Sequence, residues 1–95
     1  MTKSTQKDNI AAICELRLIY PFSESLSNLI SLSNVWGIRL IQTSSKAPMA
    51  KISIPSKVFK NMFGEYPKDQ KVYQKDNLKH IFTKLTVTNI KVKND

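Results

Sequence analysis

What most limits the fold of this chain is the order in which its apolar period switches between two residues and 3.6. Residues Ile13 to Tyr20 alternate, with Cys14, Leu16, Leu18 and Tyr20 on one face and Ile13, Glu15, Arg17 and Ile19 on the other, which predicts a half-buried strand. Pro21 stops it. Phe22, Leu26, Leu29 and Ile30 then recur at helical spacing through a Ser- and Asn-rich polar face, predicting an amphipathic helix capped by Ser23 and ended by Asn34 and Gly37. Alternation returns in Ile38 to Thr43, with Arg39 and Ile41 opposite Ile38 and Leu40. A Ser-Ser-Lys-Ala-Pro turn follows, and Met49 to Ile54 alternates again, with Ala50, Ile52 and Ile54 on one face and Met49, Lys51 and Ser53 on the other. Pro55 suits the first turn of a second helix, where its missing N–H is no loss. The stripe Val58, Phe59, Met62 and Phe63 runs up to Gly64, which ends that helix.

The remainder is less regular. Glu65 to Asp76 is polar, holds Pro67, and reads as a long surface loop into which Tyr66, Val72 and Tyr73 tuck back. Leu78, Ile81, Phe82 and Leu85 follow the i, i+3, i+4, i+7 rule behind Asn77, predicting a further helical turn or two. Val87 to Val92 closes as a strand. The order β-α-β-β-α-(α)-β is that of a split βαβ arrangement, in which right-handed crossovers lay both main helices on one face of a four-stranded antiparallel sheet. The other face stays uncovered. The residues expected on it are Arg17, Arg39, Ile41, Met49, Lys51 and Lys91, together with Glu15: a basic centre with a few apolar neighbours.

Length and charge narrow the possibilities further. A chain of 95 residues is too short to bury two separate cores, so residues 10–92 are expected to form one α+β domain. Residues 1–9 and 93–95 are almost wholly polar and are expected to fray as short tails. Cys14 is the single cysteine, whereas a secreted domain of this size would need several disulfides, so a reducing, cytoplasmic setting is expected. The apolar stretch from Ile10 to Tyr20 is broken by Glu15 and Arg17, so neither a signal peptide nor a membrane anchor is expected. Fifteen Lys and Arg against seven Asp and Glu give a net charge of +8, which draws acidic partners of any class.

The chemistry of catalysis is thin in this sequence. His80 is the only histidine, and with one distant cysteine it forms no zinc spacing. Off the Leu78/Ile81/Phe82/Leu85 stripe, it reads as a solvated surface residue. No G-x-S-x-G elbow, S-x-x-K or glycine-rich phosphate loop is present, because Gly37 and Gly64 stand alone. A non-enzyme without metal or cofactor is the expectation. Cys14 falls on the core face of the first strand, where a thiol behaves as a small hydrophobe.

Trp36 to Gly64 (WGIRLIQTSSKAPMAKISIPSKVFKNMFG) resembles the second half of the propeptide or activation domains of subtilisin-like and sedolisin-like serine proteases. There a glycine opens a strand, a polar turn leads to a second strand, and a helix ends in a Phe-Gly pair. Here Gly37, the strands around Leu40 and Ile52, Phe59 and Phe63-Gly64 take those places. The resemblance implies a ferredoxin-like fold whose open sheet face packs on a protease, acting as folding template or inhibitor. The stretch after Val92, Lys93-Asn94-Asp95, is too short to lie along a substrate cleft, so a stand-alone inhibitor or chaperone fits better than a cleaved propeptide. The second expectation is a nucleic-acid-binding domain that contacts backbone phosphates through Arg17, Arg39, Lys51 and Lys91. Membrane adsorption is not expected, since neither main helix opposes a Lys-rich face to large apolar side chains.

Overall fold

A computed structural model of the protein describes residues 10–43 and 48–92. The expected tails at 1–9 and 93–95, and most of the turn at 44–48, lie outside the described residues. The elements are β1 (Ile10–Leu18), α1 (Phe22–Trp36), β2 (Arg39–Thr43), β3 (Met49–Pro55), α2 (Ser56–Phe63), β4 (Val72–Tyr73) and β5 (Phe82–Val92). All pairings are antiparallel, and the strands form one open sheet in the order β2-β3-β1-β5-β4. The fold is α+β, with five strands where four were expected.

Both helices pack against the same side of this sheet, α2 through its apolar stripe and α1 chiefly through Leu29. Leu29 of α1 and Phe59 and Met62 of α2 join Cys14, Leu16, Leu18, Ala50, Ile52, Ile54, Leu85 and Val87 in one buried cluster. The alternation in β1 and β3 predicted Cys14, Leu16, Leu18, Ala50, Ile52 and Ile54 as inward residues. Both helices end on glycines in the left-handed region, Gly37 at φ 72° and Gly64 at φ 86°, conformations that a side chain would make strained. The polar face of α1 holds a surprise, because Ser25 and Ser33 are buried beside Leu29. Each hydroxyl is satisfied locally: Ser25 Oγ donates to the carbonyl of Ile19 at 2.7 Å and Ser33 Oγ to that of Leu29 at 2.8 Å.

Several expectations are corrected. β1 ends at Leu18, so Tyr20 leaves the sheet and is exposed rather than in the core. Phe22 and Ile30 are also largely exposed, because the inward stripe of α1 is Ser25, Leu29 and Ser33, at spacing four. No side chain caps the start of α1, so Ser23 has no such role. The loop after Gly64 contains the short strand β4, and within it Tyr73 is buried and Tyr66 half-buried while Val72 stays exposed.

The expected last helix is the largest correction. Only a single 3-10 turn, Asp76–Leu78, is present, and Phe82 onward is strand. The helix-like spacing has a different cause. β5 slips register against β1 twice, once between the pairs Leu16↔Leu85 and Leu18↔Phe82 and once between Cys14↔Val87 and Ile13↔Asn89. Each slip accommodates an extra residue, so Phe82 and Leu85, three apart, both face the core. Thr83, Thr86, Val87 and Thr88 favour the strand intrinsically.

The segment after α2 is tied down by one polar cluster. Tyr73 Oη donates to Glu65 Oε2 at 2.8 Å, Lys71 Nζ lies 2.8 Å from the same oxygen, and the Lys68 N–H donates to Tyr73 Oη at 3.1 Å. The hydrogen bond from Lys71, then that from Tyr73, holds the Glu65 carboxyl below its ordinary range. A lowered carboxyl pKa stabilises above the unfolded value and is lost as pH falls through the folded one. Glu65→Gln is therefore expected to lower the protection factor of the Lys68 amide at neutral pH, and acidification of the native protein to do the same once the slower intrinsic exchange is divided out. Unchanged protection of Lys68 in both experiments would show the cluster to be idle.

Candidate functional site

The uncovered side of the sheet is built by the residues that alternate with the core. Register fixes their neighbours: Arg17 stands opposite Met49, Glu15 opposite Lys51, Ile13 opposite Ser53 and Asn89, Arg39 opposite Ser53, and Lys91 opposite Ala11. Residues paired across an antiparallel ladder share a face, so Arg17, Arg39, Met49, Lys51 and Lys91 lie on this side. Ile41 joins them through an irregularity. Between Leu40↔Ile52 and Gln42↔Lys51 the edge strand β2 carries one extra residue, and Ile41, 46% exposed, lines the central hollow.

That hollow, of about 460 Å³, is lined by Ile13, Glu15, Ile41, Lys51, Thr88, Asn89 and Lys91. A second, of about 300 Å³, lies toward the other end between Glu15, Gln42, Thr43, Met49, Ala50 and Lys51. Lys51 Nζ is 3.8 Å from Glu15 Oε2, so the charge at the centre of the face is largely neutralised. Arg17, Arg39 and Lys91 form no salt bridge with any described residue. From strand rise and spacing, their backbone positions are roughly 15–20 Å apart. They sit at three corners.

This inverts the expected layout of a basic centre with apolar surroundings. The middle holds Ile13, Ile41 and a neutralised ion pair, Lys91 reaches the hollow from one corner, and Arg17 and Arg39 stand clear of it. Cations so far apart cannot converge on one small anion, because a charge-assisted hydrogen bond needs heavy atoms within about 3 Å. The face is suited to a large partner. Thr88 and Gln42 were not foreseen as part of it, since the bulges that place them leave no mark in the alternation. Among the described residues no cluster of three or more His, Cys, Asp or Glu is placed to hold a metal ion, and His80 is exposed. Among the described residues no helix is long and apolar enough to cross a membrane.

Compared with known proteins, the chain matches no family model, no curated protein and no solved structure.

Proposed function

We propose that this chain is a non-catalytic protein-binding module that docks its partner on the uncovered sheet face. The observation that carries this reading is the distribution of charge: an apolar, neutralised centre ringed by Arg17, Arg39 and Lys91. Protein interfaces are built this way, with charge depleted in the core and polar groups at the rim. None of the chain's Phe, Tyr or Trp residues occupies a position on that face, so it offers no platform for stacking bases.

The partner class we propose is a subtilisin-like serine protease, with the chain acting as a stand-alone inhibitor or chaperone. Two features support it. The segment from Gly37 to Gly64 forms strand, strand and glycine-ended helix in the order its resemblance implies. The four long strands run β2-β3-β1-β5, so β3 lies between the strands joined by α1, and β1 between those joined by α2. This interleaving supports the ferredoxin-like reading, with β4 added outside β5. Incubation with subtilisin-like proteases is the direct test: inhibition at micromolar concentration is expected. Ile41→Glu should weaken it roughly 30-fold or more, the effect of spoiling a central contact. Arg39→Ala should weaken it only a few-fold, through an association rate that salt suppresses. No inhibition, and no protease recovered in a pull-down, would reject this partner.

The second reading, binding of nucleic acid through backbone phosphates, is favoured by one observation: among the described strand residues of the face, Glu15 is the only carboxylate beside Arg17, Arg39, Lys51 and Lys91. Under it, affinity for duplex DNA or RNA falls steeply with salt, and replacing Arg17 and Arg39 with alanine lowers the slope of log K on log[salt] by about one each. Slopes equal to that of the unmodified protein would remove the sheet face from consideration as a phosphate contact.

A further inference from the structure

The cations of this protein are not spread evenly along the chain, and the stretch that lacks them carries most of its exposed apolar side chains. Between Leu18 and Ile38 the sequence has no Lys or Arg and a single carboxylate, Glu24, in a chain of net charge +8. The same stretch holds Tyr20, Phe22, Ile30, Val35 and Trp36, five of the eight large hydrophobic residues that are exposed among those described. Three of them line up with Leu26. Phe22, Leu26 and Ile30 follow each other at spacing four along one flank of α1, and Tyr20 meets Phe22 edge to face with ring centroids 5.8 Å apart. Phe22 is 45% and Ile30 44% exposed, and Tyr20 82%. Helical geometry puts Glu24 on the opposite flank, clear of this stripe.

We propose that the stripe Tyr20-Phe22-Leu26-Ile30 is a self-association surface, covered in solution by the same stripe of a second copy. Charge selects that occupant. Two molecules of net charge +8 repel each other across every basic surface and meet at short range most easily where few cations stand; α1 itself contributes none to its flank. An acidic partner is drawn instead to the Arg17/Arg39/Lys91 rim. The stripe is also self-complementary in geometry. It forms an i±4n ridge, and two such ridges interdigitate at a crossing angle of about −50°. A two-fold axis through Leu26 then sets Phe22 of one copy against Ile30 of the other, an isologous contact that closes after two subunits. The sheet faces of both copies stay free in that dimer, so the inference is independent of which partner the sheet takes.

Sedimentation equilibrium of the full chain tests it, over roughly 10 µM to 1 mM, the range in which a small interface populates. The expected result is an apparent mass rising from 10.9 kDa toward twice that value, with association strengthening as salt screens the residual repulsion. Ile30→Glu should weaken the dimer ~10-fold or more, because it buries a carboxylate against Phe22. Val35→Glu, on the other flank, should leave the dimer intact, and circular dichroism should show both variants folded. A protein that remains monomeric throughout, association that weakens with salt, or a dimer indifferent to Ile30→Glu but lost with Ile41→Glu would each overturn the proposal.

Discussion

Truncating Phe59 to alanine is expected to lower the unfolding free energy by ~3–5 kcal/mol, enough to leave the domain marginal at room temperature. Phe59 is fully buried and is the point at which α2 meets both the sheet and the segment that follows the helix. Its ring lies 4.6 Å from that of Phe63 and 4.7 Å from that of Tyr73, the latter edge to face at 86°. Removing it opens a cavity and also unseats Tyr73, whose hydroxyl holds Glu65 and the Lys68 amide. A domain of 95 residues carries about 5–14 kcal/mol of stability in all, so the loss is a large fraction of it. The thermal midpoint should fall by roughly 15–30 °C, and urea should unfold the variant earlier with a similar slope. Phe63→Ala makes the internal comparison, since that ring is only half-buried. It should lose less than half as much. A Phe59→Ala protein within about 1 kcal/mol of the original would mean that α2 is not anchored through this ring.

The parts of the fold that could be read from the sequence are those where local signals and packing agree. In β3, Ala50, Ile52 and Ile54 alternate strictly and all three are buried, and α2 is bracketed by Pro55 and Gly64 around its one apolar stripe. Val87 to Val92 reads correctly as strand, but the first part of β5 reads as helix because its inward residues Phe82, Leu85, Val87 and Ile90 are spaced three, two and three apart. Two bulges produce that rhythm, and over its first interval it cannot be told from a helix. α1 was placed correctly as a helix, but its inward stripe was misassigned. Ser25 and Ser33 are buried because their hydroxyls bond to the main chain nearby, which removes the penalty that hydropathy alone assigns them. For the sheet face, alternation sufficed to put Arg17, Arg39, Lys51 and Lys91 on one side. It could not say that Glu15 faces Lys51 or that the remaining cations stand far apart, because those facts depend on register across strands distant in sequence.

The stability of this protein is expected to fall by ~4 kcal/mol between pH 9 and pH 12 on account of one side chain, Cys14. Its thiol is fully buried on the core face of β1, 3.7 Å from the Ala12 carbonyl to which it donates, and burial pushes its pKa from 9.0 up to about 12. The sign follows from proton counting. Below pH 9 the thiol is protonated whether the chain is folded or not, so the stability it contributes is complete. Above pH 9 the unfolded chain releases the proton while the folded one keeps it, and stability drops by about 1.4 kcal/mol per pH unit until the folded thiol also titrates near pH 12. The informative quantity is the difference from Cys14→Ala, which keeps every other ionisable group and lacks the thiol. That variant should start somewhat less stable, from the lost packing, and should have the flatter pH profile. Reactivity gives the same information at neutral pH. With its thiolate depleted ~1000-fold relative to an ordinary cysteine and shielded by the helices, Cys14 should react with a disulfide reagent only at the rate at which the core opens. Labelling complete within seconds under native conditions, or identical pH profiles for the two proteins, would show that β1 does not sit against the core as described, and with it would go the sheet face that β1 carries on its other side.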